Sequence, residues 1–154
     1  MRYVLLFAAT LLVSACASDS GTEPAPPTKR IIATEEAPEA IGPYSQGVQV
    51  GHTLYLAGQI GLDPETGALV DGGIKAETRR AMDNLEAVLE AAGFAMADVV
   101  EAQVFLADLD EYGVMNDVYS AYFGSAAPAR AAVQVARLPR DARVEIKLTA
   151  VRAN

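Results

Sequence analysis

The chain carries one histidine, His52, and one cysteine, Cys16. That composition removes much of the usual catalytic machinery. A multi-histidine zinc site is excluded, a Ser–His–Asp triad could use only His52, and neither an intrachain disulfide nor a thiolate metal cluster can form. Asp63-Pro64-Glu65-Thr66-Gly67 lacks the ligand spacing of a calcium loop and reads as turn chemistry. Carboxylates, Arg, Tyr, Asn and backbone groups are left to act. Three stretches concentrate them: Ala40-Ile41-Gly42-Pro43-Tyr44-Ser45-Gln46-Gly47, then Ala57-Gly58-Gln59-Ile60, and Pro128-Ala129-Arg130 continuing through Val135-Ala136-Arg137-Leu138-Pro139 to Val144-Glu145-Ile146. Asn116 stands apart, in Val114-Met115-Asn116-Asp117-Val118-Tyr119. On residue type alone, Arg130 and Glu145 on neighbouring strands read as a structural ion pair. Tyr44 after Gly-Pro reads as a turn anchor, Asn116 as a solvated helix residue, and His52 as a solvated turn tip.

The elements that must position these residues fit into one domain. The chain has 154 residues, half of them hydrophobic, and 20 acidic against 12 basic side chains for a net charge of -8. A nucleic-acid binder would want a basic face and aromatic stacking platforms; here Trp is absent, and six Tyr and four Phe are the only aromatics. Given the overall charge, Arg79-Arg80 beside Glu77 reads as a helix surface rather than a nucleic-acid patch.

Residues 1–15 read as a signal peptide: Arg2, an apolar run from Tyr3 to Leu12 too short to span a bilayer, then Val13-Ser14-Ala15. Small residues directly before the only cysteine resemble a bacterial lipobox, which makes Cys16 a lipidation site and the start of the mature chain. Residues 16–28 then form a small, polar, Pro-rich tether. Export to a periplasmic or outer-membrane-anchored position follows, with a mature charge of -9 once Arg2 is lost.

Residues 29–154 are the folded domain. Short strands are expected at Arg30–Thr34, Ser45–Val50 and Thr53–Gln59, the last two joined by a Gly51-His52 hairpin turn. A loop spans Gly61–Gly73. Thr78, Ala81, Met82, Leu85, Val88, Leu89 and Ala92 follow three-and-four spacing, so Ile74–Ala92 is a helix, stopped by Gly93. Val99–Leu106 alternates as a strand. Asp108 and Asp110 offer N-caps for a helix over about Glu111–Phe123, and strands at Ala129–Ala136 and Val144–Arg152 close the chain. The order is β-β-β-α-β-α-β-β, an α+β fold with a mixed sheet and two helices on one face. Arg130, Ala132 and Gln134 are expected on the open sheet face together with Glu145, Lys147 and Thr149, a surface large enough to call for an oligomer.

The three stretches, with their spacing, resemble the RidA family (reactive intermediate deaminase A, also called YjgF) from about Ile31 to Arg152. The resemblance implies a chorismate-mutase-like fold and a homotrimer with a ligand cleft at each subunit interface. It also implies hydrolysis of 2-imino acids to 2-oxo acids and ammonia without metal or organic cofactor. The family's substrate-clamping Arg falls on Arg130, its water-handling Glu on Glu145, its Tyr on Tyr44 and its Asn on Asn116. Two positions depart. Ala57 stands where many members have Ser or Thr, leaving a backbone contact near Gly58, and Ala132 stands where many have Cys.

These residue types suit that chemistry. A guanidinium holds a carboxylate by two charge-assisted hydrogen bonds. A glutamate can orient and deprotonate the attacking water and then return the proton to the leaving nitrogen. The alternative is a trimer of the same fold that binds small carboxylates or 2-oxo acids without turnover. No RNA cleavage is expected.

Overall fold

Val144, Ile146, Leu148 and Ala150 are fully buried, while Glu145, Lys147 and Thr149 point the other way. That alternation makes the last strand the hub of the sheet. The structure, a computed structural model, describes residues 28–152. The signal-peptide and lipidation readings, Cys16 included, lie outside the described residues, as does all but the last residue of the tether. The strands are β1 (Lys29–Ile32), β2 (Gly47–Val50), β3 (Thr53–Leu56), β4 (Gln59–Ile60), β5 (Val99–Leu106), β6 (Ala129–Gln134) and β7 (Val144–Val151), with helices α1 (Gly73–Ala92) and α2 (Tyr112–Ser120). The sheet order is β1-β2-β3-β7-β5-β6, with β4 also pairing β7. Only β5 and β6 run parallel, so the sheet is mixed and the α+β expectation holds.

The apolar stripe of α1 lies on the sheet. All seven residues of its three-and-four pattern are buried, and Met82, Leu85, Val88, Leu89 and Ala92 join Leu54, Leu56, Val104, Leu106, Ile146 and Leu148 in one core. A 20-residue helix without acidic residues in its first turn draws its stability from that packing. Gly93 ends it in the left-handed conformation, with its N–H donating to Glu90 O and Leu89 O.

Three local expectations change. The strand expected over Thr53–Gln59 breaks at Ala57-Gly58 into β3 and β4. Ala57 N–H still donates to Gln46 O at 2.9 Å, carrying the β2–β3 register one residue past Leu56 before the chain turns to β7. Asp108 caps a separate 3₁₀ turn, Leu109–Glu111, by accepting from Asp110 N–H, and Asp110 caps nothing. Helix α2 ends at Ser120 and not at Phe123.

The largest correction concerns the faces. Arg130 pairs with Ala102, which also pairs with Leu148, so Arg130 lies on the helix-covered face. Glu145 pairs with Phe105, opposite Val133, on the open face. Arg130, Ala132 and Gln134 therefore do not share a face with Glu145, Lys147 and Thr149. The strands carrying the two sets are not neighbours either, because β5 lies between β6 and β7. An Arg130–Glu145 ion pair within one chain is ruled out by this topology.

Candidate functional site

Arg130 sits on the edge strand β6, beneath α2. Tyr112, Asn116 and Tyr119 fall at positions i, i+4 and i+7 of that helix, so they share one of its faces, and all three meet the guanidinium. Nη2 of Arg130 donates to Tyr112 OH at 2.7 Å and to Asn116 Oδ1 at 2.8 Å. Cζ stands 4.6 Å from the centre of the Tyr119 ring and 5.5 Å from that of Tyr112, within cation–π range. Burial pushes the Tyr119 hydroxyl above the ordinary phenol range, with the nearby Arg130 charge opposing. Among the described residues no carboxylate pairs with Arg130. An Arg held by aromatic faces and an amide oxygen, with its charge uncompensated, is built to receive an anion.

Glu145 occupies the other half. It lies half-buried beside the break between β3 and β4, and burial raises its carboxyl above the usual glutamate range. The break brings the Gly58 backbone against it: a Cβ added at Gly58 would stand 2.0 Å from Glu145 Oε1. Only glycine allows that approach. Ile41, Tyr44, Ala57, Gly58, Pro139 and Glu145 wall a cleft of about 340 Å³. Its walls are mostly apolar, with Glu39 the second carboxylate beside Glu145, a setting that holds the Glu145 carboxyl in its neutral form to higher pH than in water. Tyr44 is half-exposed at its rim, and its N–H closes a tight turn on Gly42 O at 2.8 Å. A larger hollow of about 770 Å³ adjoins across Tyr44, but Arg130, Asn116 and Glu145 do not line it.

The structure thus gathers the sequence-selected residues into two groups. Arg130 and Asn116 form one, and Ala132 follows two residues along the same face. Tyr44, Ala57, Gly58 and Glu145 form the other. Asn116 is not merely a solvated helix residue, since it holds the guanidinium. His52 is exposed at its turn tip. Asp63 makes the expected turn, with Oδ1 accepting from the N–H groups of Glu65 and Thr66 at 3.0 Å each.

Sequence reasoning missed Tyr112, Tyr119 and the role of Gln46. The i, i+4, i+7 spacing around Asn116 was the available signal for the two tyrosines. Gln46 is buried. Its Oε1 accepts from Thr34 N–H at 2.6 Å, and its Nε2 donates to the carbonyls of Thr34, Ala37 and Pro38. The glutamine of the Gly-Pro-Tyr-Ser-Gln-Gly stretch therefore pins the 34–38 loop, and that loop leads into a wall of the Glu145 cleft.

Residues 34–152 match the family model described as endoribonuclease L-PSP. The chain is 51% identical over 123 residues to the mouse protein named 2-iminobutanoate/2-iminopropanoate deaminase, covering 80% of this chain and 91% of the mouse one. Among solved structures, the YjgF gene product of E. coli superposes with a TM-score of 0.77 at 43% identity, covering 80% of this chain and 99% of that one. RidA from the Antarctic bacterium Psychrobacter sp. PAMC 21119 superposes equally well, TM-score 0.77 at 46% identity over the same shares. Fold and site together define a small α+β protein with an Arg that no carboxylate pairs among the described residues and a glutamate in a cleft. The chain belongs to the RidA/YjgF (endoribonuclease L-PSP) family.

Proposed function

We propose that this protein hydrolyses 2-imino acids to 2-oxo acids and ammonia, at sites shared between the subunits of a homotrimer. The observation that carries this reading is Arg130: a guanidinium fixed by Asn116 and Tyr112 over the Tyr119 ring, and paired with no carboxylate among the described residues. The mouse relative's name supports the reaction class.

In this mechanism Arg130 holds the substrate carboxylate. Glu145, ionised, takes a proton from water as the water oxygen bonds to the carbon of the protonated C=NH2+ group. The neutral carbinolamine takes that proton back on its nitrogen, and its C–N bond breaks as the hydroxyl proton passes to the Glu145 carboxylate, releasing ammonia and the 2-oxo acid. A positioned acid–base group gives on the order of a hundred- to ten-thousandfold acceleration, enough for an imine that already hydrolyses in water. Tyr44 and Asn116 position substrate and Arg130 by hydrogen bonds, and the Gly58 backbone supplies the contact that Ala57 cannot make by a hydroxyl.

The subunit arrangement draws support from the faces. Arg130 and Glu145 lie on opposite sides of one sheet, so a second copy is needed to bring an Arg130 to a Glu145. The open face also carries exposed apolar side chains, Ile31, Tyr55 and Val133, 45–53% exposed, that a partner would cover. Ala57 favours a second reading, binding of 2-oxo acids without turnover, since it withdraws a hydrogen-bonding side chain from the cleft. An RNA-cleaving role is disfavoured by the net charge of -8 and by an only histidine placed at an exposed turn tip. The deciding experiment is ammonia release from imines generated in situ by an amino-acid oxidase. Acceleration that Arg130→Ala abolishes supports the enzyme; tight 2-oxo acid binding without acceleration supports the binding module.

We also propose that Cys16 is lipidated and anchors the domain outside the cytosol, on the strength of the small residues before it and the Pro-rich segment after it. A mass spectrum of the mature N-terminus checks this. An unmodified Cys16, or recovery of the protein in the cytosolic fraction, contradicts it.

A further inference from the structure

The hydrogen bonds of Arg130 are unevenly spent. Nη2 donates both its protons, one to Tyr112 OH and one to Asn116 Oδ1. Carboxylates dock on a guanidinium through two parallel N–H bonds. Those come from Nε and Nη2 or from Nη1 and Nη2, because Cδ lies between Nε and Nη1. Both forks run through Nη2, and both of its protons are already accepted. A bidentate carboxylate must therefore displace one of the two acceptors.

The acceptors are not equivalent. Asn116 is half-buried in the middle of α2. Tyr112 is the first residue of that helix and is 38% exposed, followed by the unhindered Gly113. Its phenol oxygen is a neutral acceptor, which a guanidinium exchanges readily for a carboxylate oxygen. We propose that Tyr112 is an internal stand-in for the substrate carboxylate: its hydroxyl occupies the binding fork of Arg130 in the empty protein and is displaced when an anionic ligand arrives. Asn116 and the Tyr119 ring keep the guanidinium in place throughout the exchange. A carboxylate gains by displacing the phenol, whereas a neutral carbonyl compound does not. Tyr112 thus lowers affinity for every ligand while sharpening the preference for those that carry a carboxylate.

The inference rests on Arg130 as the carboxylate clamp, and its test separates the two. 2-Oxobutanoate is titrated calorimetrically into the full-length protein and into Tyr112→Phe, Tyr112→Leu and Arg130→Ala, with KM and kcat measured on the imine formed in situ from 2-aminobutanoate. Removing the hydroxyl tightens 2-oxobutanoate binding about 3- to 10-fold and lowers KM by a similar factor, the change falling on KM rather than on kcat. Tyr112→Leu, which also lacks the hydroxyl, tightens binding as well and guards against an effect peculiar to one replacement. Unchanged or weakened binding in both variants overturns the stand-in role. Loss of binding in Arg130→Ala alongside that result leaves the clamp standing and removes only the inference. Retained binding in Arg130→Ala overturns both.

Discussion

Arg130 and Glu145 lie on opposite faces of one sheet, separated by strand β5. Ala102 of that strand pairs with both Arg130 and Leu148 on the helix side, and Phe105 pairs with both Val133 and Glu145 on the open side. The two residues best suited to handle an imino acid do not meet within one chain. Each is nevertheless prepared for a ligand, Arg130 by its α2 cradle and Glu145 by its glycine-lined cleft.

Removing the clamp tests the first half. Arg130→Ala lowers kcat/KM for 2-imino acids by about 100-fold or more, the usual scale for deleting one partner of a hydrogen-bonded charge pair. Arg130→Lys keeps the charge but loses the planar fork, and recovers only part of that loss. Steady-state ammonia release checks both, and equal activity in Lys and Arg forms would show that the fork is not used.

Glu145 has a signed pH dependence. Its carboxyl must be ionised to take a proton from water, and burial raises its pKa. The acid limb of kcat/KM therefore lies above the ordinary glutamate range, and Glu145→Gln lowers kcat/KM by on the order of 10²- to 10⁴-fold and removes that limb. Stability runs the opposite way. A carboxyl whose pKa is raised by folding contributes most to stability when protonated, and that contribution is lost as pH rises through the folded value. Glu145→Gln consequently melts higher than the parent at neutral pH, with the gap closing in acid. A lower Tm at neutral pH would contradict the burial argument.

Gly58 offers a substitution that disturbs Glu145 without changing it. The added methyl of Gly58→Ala would stand 2.0 Å from Glu145 Oε1, so the carboxylate must swing out of the cleft. kcat falls at least about tenfold, a misplacement effect, while far-UV circular dichroism stays that of the parent. Full activity in Gly58→Ala would show that the Glu145 position is not critical.

Gln46 supports the cleft from below. Gln46→Ala strips four hydrogen bonds from the 34–38 loop and leaves buried backbone groups unpaired. Chemical denaturation should show a loss of about 2–4 kcal/mol. A loss under 1 kcal/mol would mean that the loop is held by other contacts.

Much of the fold was legible because its periods are strong. The α1 stripe and the bounds of β5 follow from three-and-four spacing and from alternation. The face of Arg130 was not legible. β6 reads Ala-Arg-Ala-Ala-Val-Gln, with too little apolar contrast to say which side meets the helices, and a strand inserted between β6 and β7 is invisible to local pattern. The need for glycine at position 58 appears only when β7 is folded against the break after β3. Tyr112 and Tyr119 were within reach of helical spacing, since the expected helix contains both, but helical spacing does not say that this face meets Arg130 of β6.

Co-expression of Arg130→Ala with Glu145→Gln tests the shared site most directly. Each variant alone keeps about one per cent or less of the parental activity on 2-imino acids. In randomly mixed trimers, a site that takes Arg130 from one subunit and Glu145 from the next is intact at about one position in four, so the mixture should regain roughly a quarter of the parental specific activity. Recovery of that size is the predicted result. A mixed assembly, verified by mass spectrometry, that stays as inactive as its parents would contradict the account.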